Sequence, residues 1–551
     1  MKQAQFYISL IVPCACGLLA SIASAAPLAL PQTCSGYDAA FAPSKRADSL
    51  HGFKVDDLWQ ACGTVWTAVS VSRNAANWQK LQITGLPTDY LGEGVVFSGG
   101  TTRLVSGYVG PALDVRLSLH GQSQVVTLPL TQEGHLDSRL LQQRDAGTSA
   151  TVLKVYDQSG HGNHLLATTG KEVVHVGEVK VGQDEALSWG EANGPGGFVL
   201  PSSMKVSANN FFFGTIGGFS SSNSGHAAYP VPLLLGQGGA GHELKVYFGG
   251  YQLDGFVHVS DPFNPDQILN LVVNNANSVF SIWSHKTTYS VQSGNTQSVG
   301  HTQQSAAFLE GGYIGYNADG GQWFEQGPNT GLWTGIVLAN AVDSAHRIQM
   351  FRASAALHMQ QTPQSKSAVV IIGDSRTEGY LVADGQNWPW LMQQKGQYQS
   401  YNLAVSGATS RHMLAMLPAA KTIAAQSDKH IAIVFGGFND HLPQNKISYT
   451  ETVHNLAQIV DTLQKMSYYV ILVSESQTDP VLRQQLVDAL SHGSLHPNVV
   501  VDPFSQGMPL FDLHNTTYWH NDFTHPTAAG QVELANFLWP SVSEILQQER
   551  P

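Results

Sequence analysis

The sequence predicts two domains: an antiparallel β-sandwich followed by an α/β domain built on a parallel sheet. Three observations predict this. From about Thr64 to residue 357, short apolar or alternating runs recur between Gly, Asn, Ser and Pro turns, the pattern of a sandwich. From residue 368 onward, apolar strands alternate with helical stretches, the pattern of parallel strands joined by crossover helices. Residues 358–367, rich in Gln, Ser and Thr and containing Pro363, separate the two rhythms as a linker.

Residues 1–25 stand apart from both domains. Lys2, an apolar run from Ile8 to Ala20 and the small-residue string Ala23-Ser24-Ala25 form the pattern of a secretory signal peptide cut near Ala25. The run is too short to span a bilayer, and no later stretch approaches that length. A secreted or periplasmic protein is therefore expected. Of four cysteines, Cys14 and Cys16 fall in the signal; Cys34 and Cys62 remain. An exported pair invites one disulfide, worth about 3 kcal/mol in the chain-entropy model. The 28 Lys and Arg against 40 Asp and Glu give a net charge of -12, and loss of Lys2 with the signal makes it -13. Such an acidic chain is not built to hold nucleic acid or anionic lipid.

In the sandwich region, residues 26–357, expected strands include Ala112 to Leu117, Val152 to Tyr156, Glu243 to Phe248 and Ile268 to Val273. A helical segment is expected near Ala341 to Met359. The string Tyr156-Asp157-Gln158-Ser159-Gly160-His161-Gly162-Asn163-His164-Leu165 reads as a strand followed by a polar hairpin. His161 and His164 lack a third ligand and read as turn residues rather than a metal pair.

In residues 368–551, the expected strands are Ala368 to Ile372, Ser400 to Ala404, Ile431 to Phe435, Tyr469 to Ser474 and Val499 to Asp502. Expected helices are Ser410 to Gln426, Tyr449 to Met466, Pro480 to Ser491 and Pro526 to Gln548. Ligands of an open parallel sheet bind beyond the carboxyl ends of its strands. Polar motifs stand at those ends: Gly373-Asp374-Ser375, Ser406-Gly407-Ala408 and Gly437-Phe438-Asn439-Asp440. A fourth, Asp522-Phe523-Thr524-His525, precedes the last helix. Each alone would be a turn or a helix cap. Together they supply what ester hydrolysis needs: a nucleophile in Ser375, a base in His525, and Asp522 to orient that base. The N–H groups of Ser375 and Gly407 and the Asn439 amide supply oxyanion donors. Asp440 reads as support for its loop, and His412, His430, His514 and His520 as surface or core residues.

These four blocks resemble the SGNH hydrolases, the GDSL-type esterases and lipases, over roughly residues 365 to 548. The first block carries Arg376 where Leu is usual. The resemblance implies a flavodoxin-like three-layer α/β/α fold and acyl-ester hydrolysis with neither metal nor cofactor. The hairpin string, with Ala112-Leu113-Asp114-Val115-Arg116 and Gly321-Gln322-Trp323-Phe324-Glu325, is similar to the concanavalin-like, lectin-like catalytic module of α-L-arabinofuranosidase B. A retaining glycosidase needs two carboxylates facing one sugar, and Asp254, Asp319 and Glu325 are the candidates. The stretch Phe248 to Asp254 lacks the expected Glu, which favours a carbohydrate-binding sandwich. Trp59, Trp66, Trp78, Trp189, Trp323 and Trp333 are candidates for sugar stacking, each weighed against core packing. The combined expectation is a carbohydrate esterase removing acyl groups, O-acetyl first, from a polysaccharide. The alternatives are an arabinofuranosidase-like glycosidase in the front domain, an acyltransferase acting on exopolysaccharide, and a glycan-binding protein without activity.

Overall fold

A computed structural model describes residues 54–548, apart from 62–63, 73–74, 190–195, 220–230, 237–242, 250–254, 262–263, 274, 276–277, 295, 302–307, 316–330, 343, 360–366, 383–384, 397, 426 and 428. The expected signal peptide, Cys34 and Cys62, most of the linker, Trp323, and the glycosidase candidates Asp254, Asp319 and Glu325 lie outside the described residues.

The front half is one antiparallel network running from Val95–Gly100 to Gly331–Asn340, closed on itself like a flattened barrel. Its spine is Phe211–Phe219, paired with Gly331–Asn340 on one side and Ser278–His285 on the other. That spine does not alternate apolar with polar; all nine residues are buried. Phe211 and Phe213 point into the sandwich core with Phe97, Phe198 and Trp333. Phe212 and Ile216 point the opposite way, under the helix Ala345–His358, where they meet Ile348 and Phe351. A strand covered on both faces reads as a continuous apolar run. Trp189 and Trp333 are fully buried, with ring centroids 4.7 Å apart; these two are core residues, not sugar platforms. A separate three-stranded sheet spans Leu58–Ala61, Thr64–Ser72 and Ala75–Lys80.

The rear half runs in chain order through β1 (Ser367–Gly373), α1 (Ser375–Glu378), α2 (Trp388–Gln393), β2 (Gln399–Asn402), α3 (Ser410–Ala415), α4 (Leu417–Ala424), β3 (Lys429–Phe435), α5 (Tyr449–Lys465), β4 (Tyr469–Val473), α6 (Pro480–Ser491), β5 (Val499–Val501) and α7 (Ala528–Gln547). The sheet order is β2-β1-β3-β4-β5, and every pairing is parallel. Successive residues of β1 serve opposite faces. Val370 and Ile372 pack with Leu456, Ile459 and Leu482 of α5 and α6. Val369 and Ile371 pack with Trp388 of α2 and Leu534 and Leu538 of α7. This makes three layers and leaves the carboxyl ends of β1 and β3 in line for the polar loops. The predicted helix from Ser410 is two helices, because Pro418 offers no N–H to continue the first.

The halves are not merely strung together. Phe256 and Val272 of the sandwich share a core with Leu417 and Ala420 of α4. Trp390 of α2 is buried among Ile216, Leu332 and Val279 of the sandwich.

Candidate active site

β1 delivers the chain into a tight turn at Asp374. That residue has extended backbone and caps α1, its carboxylate accepting from the Arg376 N–H at 3.1 Å. Ser375 is the first residue of α1 and is 8% exposed. Its Oγ lies 2.8 Å from Nε2 of His525. The other ring nitrogen, Nδ1, lies 2.6 Å from Asp522 Oδ2. Ser375, His525 and Asp522 thus form one unbroken hydrogen-bonded chain across 150 residues of sequence.

The loop holding Asp522 and His525 is self-bracing. Asp522 Oδ1 accepts from the backbone N–H groups of Thr524 and His525, each at 3.0 Å. Burial pushes the Asp522 carboxyl up, but the His525 side-chain bond and these two N–H groups outweigh it and hold it below the usual aspartate value. Phe523 sits between them at φ 57°, in the left-handed region, which lets Asp522 and His525 turn the same way. The His520 N–H donates to the His525 carbonyl at 2.9 Å, and the Thr478 hydroxyl donates to the Phe523 carbonyl at 2.9 Å. The Tyr380 ring meets the imidazole edge-on, centroids 4.8 Å apart.

The two remaining predicted residues are tied to the nucleophile turn through their loops. Glu378 of α1 accepts from the Ser406 N–H at 2.6 Å and from its hydroxyl, which anchors the loop before Gly407. Gly407 is exposed at φ 77°, and a Cβ there would meet no protein atom within 4 Å. Asn439 is buried, and its Nδ2 donates to the Ala408 carbonyl at 3.0 Å. Asp440 accepts from the Ser410 N–H and hydroxyl and from the Thr452 hydroxyl at 2.5–2.7 Å, the supporting role expected of it. In the front half, His164 Nδ1 accepts from the Asp157 N–H at 3.0 Å, and His161 Nδ1 lies 2.9 Å from the Ser159 hydroxyl; both serve the hairpin. Among the described residues, no group of three or more His, Cys, Asp or Glu is placed to hold a metal ion.

Sequence reasoning missed the largest electrostatic feature near the site. Arg376, essentially without exposure, donates through Nε and Nη2 to both oxygens of Asp374 at 3.0 and 2.7 Å. It also donates to both oxygens of Glu475, just beyond β4, through Nη1 and, at 3.1 Å, Nη2. Its guanidinium lies over the Phe435 ring at 4.2 Å. Burial works against the guanidinium charge, but the two carboxylates more than offset it and raise its pKa. Glu475 is pushed up by burial, with Arg376 opposing. The departure from Leu at position 376 was a visible signal. Its partner Glu475, 99 residues downstream, carried none.

Residues 371–532 match the model of the GDSL-like lipase/acylhydrolase family. The front half is similar to a structure of a GH54 α-L-arabinofuranosidase, with 15% identity over 49% of this chain and 65% of that one, TM-score 0.38. The chain thus spans about 65% of that enzyme's length. The rear half is similar to the psychrotrophic esterase EstA of Pseudoalteromonas sp., with 17% identity over 33% of this chain and all of that one, TM-score 0.27. It is also similar to a GDSL-like lipase of Bacteroides thetaiotaomicron, with 18% identity over 32% of this chain and 89% of that one, TM-score 0.25. No curated protein matches the chain.

Proposed function

We propose that this chain, which carries a GDSL-like lipase/acylhydrolase domain at residues 371–532, is an exported serine esterase removing acyl groups, O-acetyl first, from a polysaccharide. The observation that carries the hydrolase reading is the Ser375–His525–Asp522 chain of hydrogen bonds at 2.8 and 2.6 Å.

The chemistry follows from that geometry. His525 Nε2 takes the Ser375 proton as Oγ attacks the ester carbonyl, and the ionised Asp522 holds the proton on Nδ1 and stabilises the imidazolium. The developing oxyanion is met by the N–H groups of Ser375 and Gly407 and by the Asn439 amide. Asn439 has two N–H bonds; one is given to Ala408, and the other is the one a substrate oxygen uses. The open space at Gly407 lets that oxygen approach the backbone closely. Collapse expels the alcohol, which leaves with the proton from His525. Water then attacks the acyl-serine by the same steps in reverse.

The sugar polymer is supported by the front half's sequence resemblance to a glycosidase module, and export by the pattern of residues 1–25. An ester panel on wild type and Ser375→Ala tests the reading, with acetylated xylan, cellulose and exopolysaccharide beside lipid and aryl esters. Acetate release from a glycan, abolished by Ser375→Ala, supports it. Release that survives Ser375→Ala sinks the nucleophile, and a preference for lipid esters sinks the carbohydrate assignment.

A further inference from the structure

We propose that the β-sandwich braces the nucleophile turn from outside the site, with Asn275 as the positioning residue; the catalytic consequence rests on the esterase reading above. β2 is an edge strand, and an edge presents unpaired backbone groups that must find partners. Asn275, in the connection after the sandwich strand Asn264–Val272, supplies them. Its own N–H donates to the Ser400 carbonyl at 2.8 Å, and its side-chain Oδ1 accepts from the Asn402 N–H at 2.6 Å. One asparagine of the front half thus completes the edge of the rear sheet, and it is 2% exposed.

The contact leads directly to the site. The Asn402 side chain accepts from the Ala404 N–H at 3.2 Å, at the start of the loop to Gly407. Its Nδ2 donates to the Thr377 carbonyl in α1 at 3.5 Å. Asn275 therefore holds the residue that joins the nucleophile helix to the Gly407 loop. A second contact fixes α2. Gly218 of the sandwich lies so close to Trp390 that a Cβ there would stand 2.9 Å from Trp390 Cη2 and 3.1 Å from the Asn275 carbonyl oxygen. Asn387, which caps α2, donates through Nδ2 to the Glu378 carbonyl at the end of α1 at 2.7 Å. Both routes from the sandwich end on α1. α1 carries Ser375, and a displacement of about 1 Å in a catalytic group costs as much as 10²-fold in rate.

The test uses the full chain with Asn275→Ala, Gly218→Ala, and Val125→Ser as a control on an exposed sandwich strand. Active sites are counted by titration with an organophosphonate, and turnover is measured on 4-nitrophenyl acetate, too small to need a glycan surface. Backbone hydrogen exchange is followed over residues 399–408. Asn275→Ala and Gly218→Ala should each lower kcat per titrated site by about 10- to 100-fold, with less change in KM, and speed exchange over 399–408. Val125→Ser should change neither. Wild-type kcat and protection in both variants would overturn the proposal. So would a loss of titratable sites with unchanged kcat per site, which marks a folding role alone. If wild type hydrolyses no ester, the esterase reading fails, and the exchange of residues 399–408 in the two variants still decides the coupling.

Discussion

Replacing Arg376 by the Leu usual in related motifs should damage this protein. The guanidinium is the sole cation described between two carboxylates whose side chains are 0% and 1% exposed. Arg376→Leu removes all four side-chain bonds to Asp374 and Glu475 and leaves both acids buried. Removing one partner of a buried ion pair costs about 3–5 kcal/mol, because the charge left behind is uncompensated. Asp374 keeps the residue-376 N–H and Glu475 keeps the Ser476 N–H at 2.8 Å, so the loss should fall within that range rather than double it. The pH dependence has a definite sign. Burial already pushes Glu475 up, with Arg376 opposing; without Arg376 the folded-state pKa of Glu475 stands further above the unfolded value, so the folded chain binds more protons than the unfolded one. Stability of the variant should then fall as pH rises. Adding Glu475→Gln removes one buried charge while leaving an acceptor for Ser476, and should recover part of the loss. Equilibrium urea unfolding, read by tryptophan fluorescence and by residual activity at several pH values, measures all three. A loss in Arg376→Leu below about 1 kcal/mol, or stability that rises with pH, would refute the view that this triad braces the nucleophile turn.

Other consequences are more local. Under the proposed mechanism Asn439→Ala removes one oxyanion donor and should cut kcat by about 10²–10³-fold, while the lost bond to Ala408 should cost about 1 kcal/mol of stability; single-turnover kinetics on an aryl acetate and urea unfolding separate the two. Asp522→Asn should lower kcat by about 10²–10³-fold, less than the roughly 10⁴ known for a fully buried triad aspartate, because the Asp522 side chain is 39% exposed. Since the folded Asp522 pKa is depressed, its stabilising contribution is complete above the ordinary value of about 3.9 and is lost as pH falls through the lower folded value. Wild type should therefore lose stability on the acid side of pH 4 more steeply than Asp522→Asn. Gly407→Ala, at φ 77°, should cost about 1 kcal/mol of strain and, by setting a methyl where substrate oxygen approaches, reduce kcat/KM more than it reduces stability.

The sequence was most informative where one side chain's environment is set by its near neighbours. β1, β3 and β4 are buried on both faces, so their apolar runs gave strand limits within two residues of those observed. α6 matched its prediction, Pro480–Ser491, because Asp479 caps it and Pro480 opens it. The four polar blocks stood out because each lies at a strand end or before a helix, where polar residues interrupt an apolar pattern. Legibility failed where the partner is remote. Nothing near Arg376 points to Glu475, and nothing near Asn275 points to Asn402, 127 residues away. The short helix Trp388–Gln393 went unseen because its apolar residues serve two cores, Trp388 the rear one and Trp390 the sandwich. The aromatic candidates were read from composition, which cannot separate Trp189 and Trp333 in a core from a ring at the surface.

The central claim is that Ser375 is a nucleophile activated by His525. An organophosphonate that mimics the ester transition state tests it most directly, with the adduct located by peptide mass spectrometry. One adduct per chain, on the peptide bearing Ser375, with parallel loss of ester hydrolysis and no labelling in Ser375→Ala or His525→Ala, is the predicted result. Labelling at another residue, or full hydrolysis by a chain whose Ser375 remains unmodified, would contradict it.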